Sequence, residues 1–210
     1  MAIVSFSHGF ISVKNLKVAG TTLEVHLAQS CAEGDIVTPI LPENTQHRPR
    51  NYEEPAGVIR FYNHMPASEI RERLPNEFGR FYRFCFERHP IDKCLSHFAM
   101  LLNSPLHRSA NNPRTWDEYL ERGDFPIDTA RYTDDGGNLI VDNIYRYEEM
   151  AWAITDIAAK TGIPNRTLVA REKSTLRYNV PTLATVRASQ CQREIIFDAF
   201  ESSLQFVDYC

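Results

Sequence analysis

The sequence predicts an α/β fold, organised as a single domain spanning residues 1–210 with a mainly parallel sheet flanked by helices. Two observations support this fold class. Short apolar runs alternate along the chain with segments whose apolar residues recur at helical spacing, a pattern typical of parallel sheets. The 210 residues are 43% hydrophobic and 24% charged, which is ordinary for one soluble globular domain.

Four segments are predicted to be strands because they are short, apolar and bounded by turn-forming residues. The first reads GFISV, the third is the aromatic-rich FYRFCFE, and the fourth is interrupted near Asp142. The second is ended by Pro39 and Pro42. The predicted strands lie at residues 9–13, 34–40, 81–87 and 139–147.

Six segments are predicted to be helices, and residues 165–189 are predicted to be irregular. Ser68 is the expected cap of the second helix, Pro90 lies in the first turn of the third, and Gly162 stops the fifth. Apolar residues should face the core from the first helix (Leu23, Leu27, Ala28) and from the last (Ile195, Ile196, Ala199, Phe200). The predicted helices span residues 21–30, 67–74, 91–103, 116–122, 148–161 and 192–206.

Charge and cysteine content limit the possible functions. The net charge of −4 does not suit a general nucleic-acid binder, although it allows a small anionic ligand. No apolar run approaches the ~20 residues of a transmembrane helix, and no signal peptide is recognisable. The five cysteines form no C-x-x-C pair, so a zinc site is not expected. We expect the cysteines to be reduced thiols in the cytoplasm.

The segment KNLKVAGTT, between the first strand and the first helix, suits an anion. Small residues let backbone N–H groups approach a phosphate, the helix N-terminus adds a positive dipole, and Lys17 adds a full charge. The alternative is a loop whose threonines cap the helix and whose lysines are solvated. The segment is not a Walker A motif, because no G-x-x-x-x-G-K-[ST] occurs.

Two further places carry candidate chemistry. Arg88 and Ser96 lie where the third predicted strand is followed by a helix. An arginine and a hydroxyl at this place could bind a phosphate. The alternative is that Arg88 forms a salt bridge and Ser96 is simply exposed. His64, before a short helix, is either a general base or a structural residue. Arg146 and Glu148 are expected to form a structural ion pair.

In combination, three segments resemble motifs of the sulfotransferases. FISVKNLKVAGTTLE resembles their 5′-phosphosulfate loop, FERHPIDKCLSHF their 3′-phosphate motif, and FYNHMPASEIRERL the segment with the acceptor-activating histidine. IVTPILPEN and IVDNIYRYEEM are similar to stretches of small bacterial members that resemble the carbohydrate sulfotransferases. Val18, Thr22 and His89 depart from the family pattern, and Val18 lacks a hydroxyl that would contact phosphate.

The resemblance implies a role for each matching residue. Lys17 would contact the leaving phosphate and His64 would be the catalytic base. Arg88 and Ser96 would bind the 3′-phosphate, and Lys173 and Arg177 would belong to a late basic segment over the nucleotide. The residues implied to hold the 5′-phosphate are Ala19, Gly20, Thr21 and Thr22.

The resemblance also implies a three-layer fold related to P-loop kinases and a metal-independent reaction. The donor would be 3′-phosphoadenosine-5′-phosphosulfate (PAPS), the product adenosine 3′,5′-bisphosphate (PAP), and the expected acceptor a saccharide hydroxyl. The alternatives are a P-loop kinase-like phosphotransferase and a catalytically inactive nucleotide-binding module. The identity of the acceptor and the oligomeric state stay open.

Overall fold

A computed structural model describes residues 2–41, 43–167 and 176–209. The chain forms two compact units of contacting residues. The first comprises Met1–Glu87 and Asp128–Ala170, and the second comprises Arg88–Ile127 and Arg171–Cys210. The helices of the two units are α1 (Gly20–Ala28), α2 (Ala67–Arg73), α3 (Pro75–Arg80), α4 (Pro90–Asn103), α5 (Trp116–Arg122), α6 (Thr129–Tyr132), α7 (Met150–Thr161), α8 (Leu183–Ala188), α9 (Gln190–Ala199) and α10 (Glu201–Leu204).

The first unit is an α/β structure built on a five-stranded mixed sheet with flanking helices. Its strands are β1 (Ile3–Ser5), β2 (Phe10–Ser12), β3 (Ile36–Val37), β4 (Tyr82–Glu87) and β5 (Asn143–Arg146). They are arranged in the order β3-β1-β2-β4-β5. The strands predicted around residues 9–13, 34–40, 81–87 and 139–147 are therefore present, and β1 is an additional strand.

The prediction of a mainly parallel sheet is wrong. β1 pairs antiparallel with both β2 and β3, while β2–β4 and β4–β5 are parallel pairs. The cause is the short connection between β1 and β2, which are joined by residues 6–9 in a turn where Gly9 has φ +60°. So short a connection allows only an antiparallel pair, because a parallel pair needs a crossover of about a dozen residues or more.

The neighbouring strands β2, β4 and β5 run parallel and place their carboxyl ends at one edge of the sheet. β2 lies beside β4 with Ser12 opposite Phe84, and β4 lies beside β5 with Glu87 opposite Arg146. The candidate phosphate loop leaves β2 at this edge. Ligands of α/β sheets bind at such carboxyl edges.

Helices α1 and α7 cover the apolar core of the first unit. Leu23 and Leu27 of α1 and Ile154 and Ile157 of α7 are buried in one cluster with Phe84 of β4. The predicted inward face of α1 is therefore confirmed. Gly162, with φ +72°, ends α7 as predicted.

Two details of the helix predictions are wrong. Pro66, not Ser68, occupies the cap position of α2, and no side chain caps that helix. Ile196 of α9 is buried in the core of the second unit, but its neighbour Ile195, about 100° away around the helix, is 40% exposed.

The predicted last helix is divided in two near Phe200, and α8 occupies part of the segment predicted to be irregular. Thr182 caps α8 by accepting a hydrogen bond from the N–H of Thr185. Among the helices described, none combines the length and the apolar character needed to cross a bilayer.

Candidate functional site

The loop from β2 to α1 has a backbone shape that suits an anion. Lys17 and Ala19 have φ of 61° and 54°, in the left-handed region that non-glycine residues rarely adopt, whereas Leu16 and Val18 do not. Left-handed residues at alternate positions are typical of loops that turn their N–H groups toward an anion. The N–H of Leu16 in this loop already donates to Asp128 Oδ2 at 2.8 Å. Val18 is buried at 2% exposure and anchors the middle of the loop.

The first turn of α1 follows this loop. Ala19 is the cap residue, and no side chain caps the helix, so the alternative in which Thr21 or Thr22 caps it does not occur. The first N–H groups of a helix generally lack an intrahelical acceptor. In α1 the N–H of Thr22 already donates to the carbonyl oxygen of Ala19 at 3.0 Å. Lys17 and residues 19–22 are half-buried.

Lys14 fixes the loop to α1. Its Nζ lies 2.9 Å from Oε2 of Glu24, and the two side chains are only 11% and 4% exposed. A Cβ atom at Gly20 would lie 2.7 Å from Cε of Lys14, so a larger residue there would have to displace the Lys14 side chain. Sequence reasoning assigned no role to either partner, because the contact joins a loop residue to the second turn of the helix.

Asn15 ties the same loop to the end of β4. Its Nδ2 donates to the carbonyl oxygen of Phe86 at 2.9 Å and to Oε1 of Glu87 at 3.1 Å. Asn15 and Glu87 are almost fully buried. The loop is therefore attached to the sheet on one side and to α1 on the other.

His64 lies against this loop. Its Nδ1 is 3.2 Å from the carbonyl oxygen of Lys14. A carbonyl oxygen can only accept, so Nδ1 carries the proton and Nε2 of the neutral ring carries the lone pair. Nε2 is thus the atom able to take a proton from a substrate. The backbone of His64 is left-handed, with φ 63°, a strained conformation often found at functional sites.

The pKa of His64 is lowered to about 3. Burial is the largest cause, and positive charges that include Lys14 and Arg131 add to it. The imidazole is therefore neutral near pH 7, as a proton acceptor must be.

Asp128 and Arg131 connect the loop with His64. Asp128 Oδ2 accepts the N–H of Leu16 at 2.8 Å, and Oδ1 of the same carboxylate lies 2.6 Å from Nε of Arg131. Nη1 of Arg131 donates to the carbonyl oxygen of His64 at 2.7 Å. Sequence reasoning missed both residues, and the only local sign was the position of Asp128 immediately before α6.

In the second unit, Arg88 and Arg177 share one carboxylate. Arg88 Nε donates to Asp92 Oδ2 at 2.7 Å, and Arg177 Nη1 lies 2.9 Å from Asp92 Oδ1. The salt bridge considered for Arg88 is therefore present. Ser96, one turn further along α4, is half-buried.

The predicted residues thus form two groups. Lys17, residues 19–22 and His64 belong to the first unit, and Arg88, Ser96 and Arg177 belong to the second. Lys173 lies outside the described residues. Arg146 forms an ion pair with Glu149 at 3.7 Å.

No protein-family model matches the sequence, and no curated protein matches it either. In the part of the chain that the structure describes, no group of three or more His, Cys, Asp or Glu residues could hold a metal ion.

Proposed function

We propose that the protein is a PAPS-dependent sulfotransferase that sulfates a hydroxyl acceptor, with a saccharide as the acceptor class. The proposal includes the three-layer P-loop-like fold implied by the sequence motifs and a cytoplasmic location. The observation that carries it is the hydrogen bond between His64 Nδ1 and the carbonyl oxygen of Lys14, which holds the proposed base against the proposed phosphate loop.

The proposed reaction assigns a separate task to each part of the first unit. The acceptor oxygen attacks sulfur while its proton passes to His64 Nε2, and a new S–O bond forms. The bond between sulfur and the bridging oxygen of the 5′-phosphate breaks, and PAP leaves with the negative charge. Lys17 and the N–H groups of the loop stabilise that charge as it develops. A well-placed base contributes about 10²–10⁴-fold to the rate.

Arg88, Ser96 and Arg177 are proposed to bind the 3′-phosphate of the donor. Guanidinium groups form paired, charge-assisted hydrogen bonds with phosphate oxygens, which a hydroxyl group can supplement. This contact would distinguish PAPS from nucleotides that lack a 3′-phosphate.

One observation favours a second candidate, a nucleotide-binding module without catalysis. A histidine whose pKa is lowered to about 3 is a weak base. Under the sulfotransferase proposal, the negative charge of the bound donor raises this pKa and restores basicity. The inactive module would bind PAP and transfer nothing.

The test is transfer of radiolabelled sulfuryl from PAPS to a panel of glycans in excess EDTA, together with melting temperatures in PAP and in ATP with Mg²⁺. Labelled product in EDTA and stabilisation by PAP are expected. Stabilisation by PAP without any transfer would favour the inactive module. Stabilisation by ATP with Mg²⁺ alone would favour a kinase-like phosphotransferase and contradict the proposal.

A further inference from the structure

Asp92 lies in the first turn of α4 and forms ion pairs with two arginines. Its Oδ2 accepts from Arg88 Nε at 2.7 Å and is also in contact with Arg88 Nη2, while its Oδ1 pairs with Arg177 Nη1 at 2.9 Å. Each oxygen of one carboxylate therefore holds a different guanidinium group. Arg88 precedes the helix and Arg177 comes from a distant part of the chain.

The cluster brings two guanidinium groups and one carboxylate together in a partly enclosed place. The side chains of Arg88, Asp92 and Arg177 are 9%, 16% and 36% exposed. Burial by itself would raise the pKa of Asp92, but the charges and hydrogen bonds of Arg88 and Arg177 outweigh it and lower the pKa. Asp92 is therefore ionised, and its carboxylate contacts two guanidinium groups.

A polar group suited to the same ligand lies nearby on α4. Ser96 follows Asp92 by four residues, so both lie on one face of the helix. The Ser96 hydroxyl is half-buried and has no hydrogen-bond partner within the residues described. A hydroxyl and guanidinium N–H groups are the donors that a phosphate group needs.

We propose that Asp92 is a positioning residue for a phosphate ligand, because it fixes the orientation of Arg88 and Arg177 before the ligand arrives. This inference rests on the proposed function, in which the ligand is the 3′-phosphate of the donor. A flexible arginine loses side-chain freedom when it binds an anion, and a carboxylate that already restrains it reduces that loss.

The opposite effect, in which Asp92 repels the phosphate, is the weaker of the two. Removal of the carboxylate would add attraction between the phosphate and the two guanidinium groups. The same removal leaves two cations to repel each other and allows Arg177 to turn into solvent. The loss of orientation therefore dominates, and binding of the 3′-phosphate should weaken.

The backbone around Arg177 is held independently of Asp92, which makes the test specific. Asn103 Nδ2 donates to the carbonyl oxygens of Leu176 and Tyr178 at 2.7 and 2.8 Å. A substitution at Asp92 thus alters the orientation of the arginine side chains while this attachment to α4 persists. Asparagine is the closest replacement, and its single oxygen cannot accept from both arginines.

The experiment measures the affinity of PAP and of 5′-AMP, which lacks the 3′-phosphate, by calorimetry for wild type, Asp92→Asn and Asp92→Glu. The ratio of the two affinities should fall about tenfold in Asp92→Asn, with 5′-AMP binding unchanged, and Asp92→Glu should recover part of it. Glu118→Gln is the matched control, because it breaks another Arg–carboxylate pair four residues apart, with Arg122 on α5. Its ratio should equal that of wild type.

The possible failures are distinguishable. A wild-type protein that binds PAP no better than 5′-AMP contradicts the proposed function. If the wild-type protein prefers PAP to 5′-AMP and the Asp92→Asn variant shows the same or a greater preference, only the role of Asp92 is overturned. If Asp92→Asn does not fold, Arg177→Gln at the more exposed partner takes its place, and an unchanged ratio there overturns the inference.

Discussion

Arg131 holds His64 through its main chain, with Nη1 of Arg131 2.7 Å from the carbonyl oxygen of His64. The same guanidinium contacts Asp128 through Nε, and Asp128 accepts the N–H of Leu16 in the phosphate loop. The proposed base and the proposed phosphate loop are therefore fixed to one ion pair. A change in that pair should disturb their alignment without removing either of them.

Arg131→Lys tests this alignment. Lysine keeps the charge but lacks the planar fork that contacts Asp128 and the His64 carbonyl together. We expect kcat to fall about ten- to a hundredfold, because small displacements of reacting groups have large effects on rate. PAP affinity should change little, since Asp128 still holds Leu16. Arg80→Lys, at an exposed site on α3, is the control, and an Arg131→Lys enzyme as fast as that control would contradict the positioning role.

His64→Ala and Lys17→Ala should behave differently. The base acts on the acceptor, so His64→Ala should lower kcat about 10²–10⁴-fold and leave PAP affinity nearly unchanged. Lys17 is proposed to contact the leaving phosphate, so Lys17→Ala should lower both kcat and PAP affinity. The measurements are kcat, the Kd of PAP and the melting temperature of each variant. A His64→Ala protein that is destabilised but fully active per folded molecule would show that His64 is structural.

Binding of PAP should raise the pKa of His64. In the protein without ligand, burial and neighbouring positive charges hold this pKa at about 3. Negative phosphate charge nearby favours the imidazolium form and shifts the value upward. By linkage, PAP should bind more tightly as the pH falls toward the new pKa. Histidine NMR titrations with and without PAP measure the shift, and His64→Ala identifies the resonance among the seven histidines. An unchanged pKa in saturating PAP would mean that the phosphates bind elsewhere.

Gly20→Ala should destabilise the protein. The new methyl group would lie 2.7 Å from Lys14 Cε, and displacement of Lys14 would strain its buried pair with Glu24. Overpacking of this kind costs about 1–3 kcal/mol, and the loop from β2 to α1 should be distorted as well. Gly79→Ala in α3 is the control, because nothing lies within 4 Å of its added Cβ and alanine favours helix by about 0.5–1 kcal/mol. Chemical unfolding and PAP affinity of both variants give the comparison, and equal stability of the two would contradict the role of Gly20.

The sequence was sufficient for features that depend on neighbouring residues. The apolar spacing of α1 and the glycine stop of α7 are local patterns, and both match the structure. β1 was missed, and the strand directions were wrong because the β1–β2 turn reverses the chain within a few residues. The link from Asp128 to Leu16 joins positions far apart in the sequence, so no local pattern could indicate it.

The mixed sheet has a consequence for the order in which the chain folds. The β1–β2 hairpin closes over only residues 6–9, whereas the parallel pairing of β2 with β4 joins Phe10 to Tyr82 across a far longer segment. Local pairs form faster than distant ones because less chain must be restrained to close them. We therefore expect β2 to pair with β1 early in refolding. The loop that follows β2 should stay unstructured until β4 pairs with β2. Pulsed hydrogen exchange would show this as early protection of Ile3 and late protection of Val13, whose N–H bonds to Phe84.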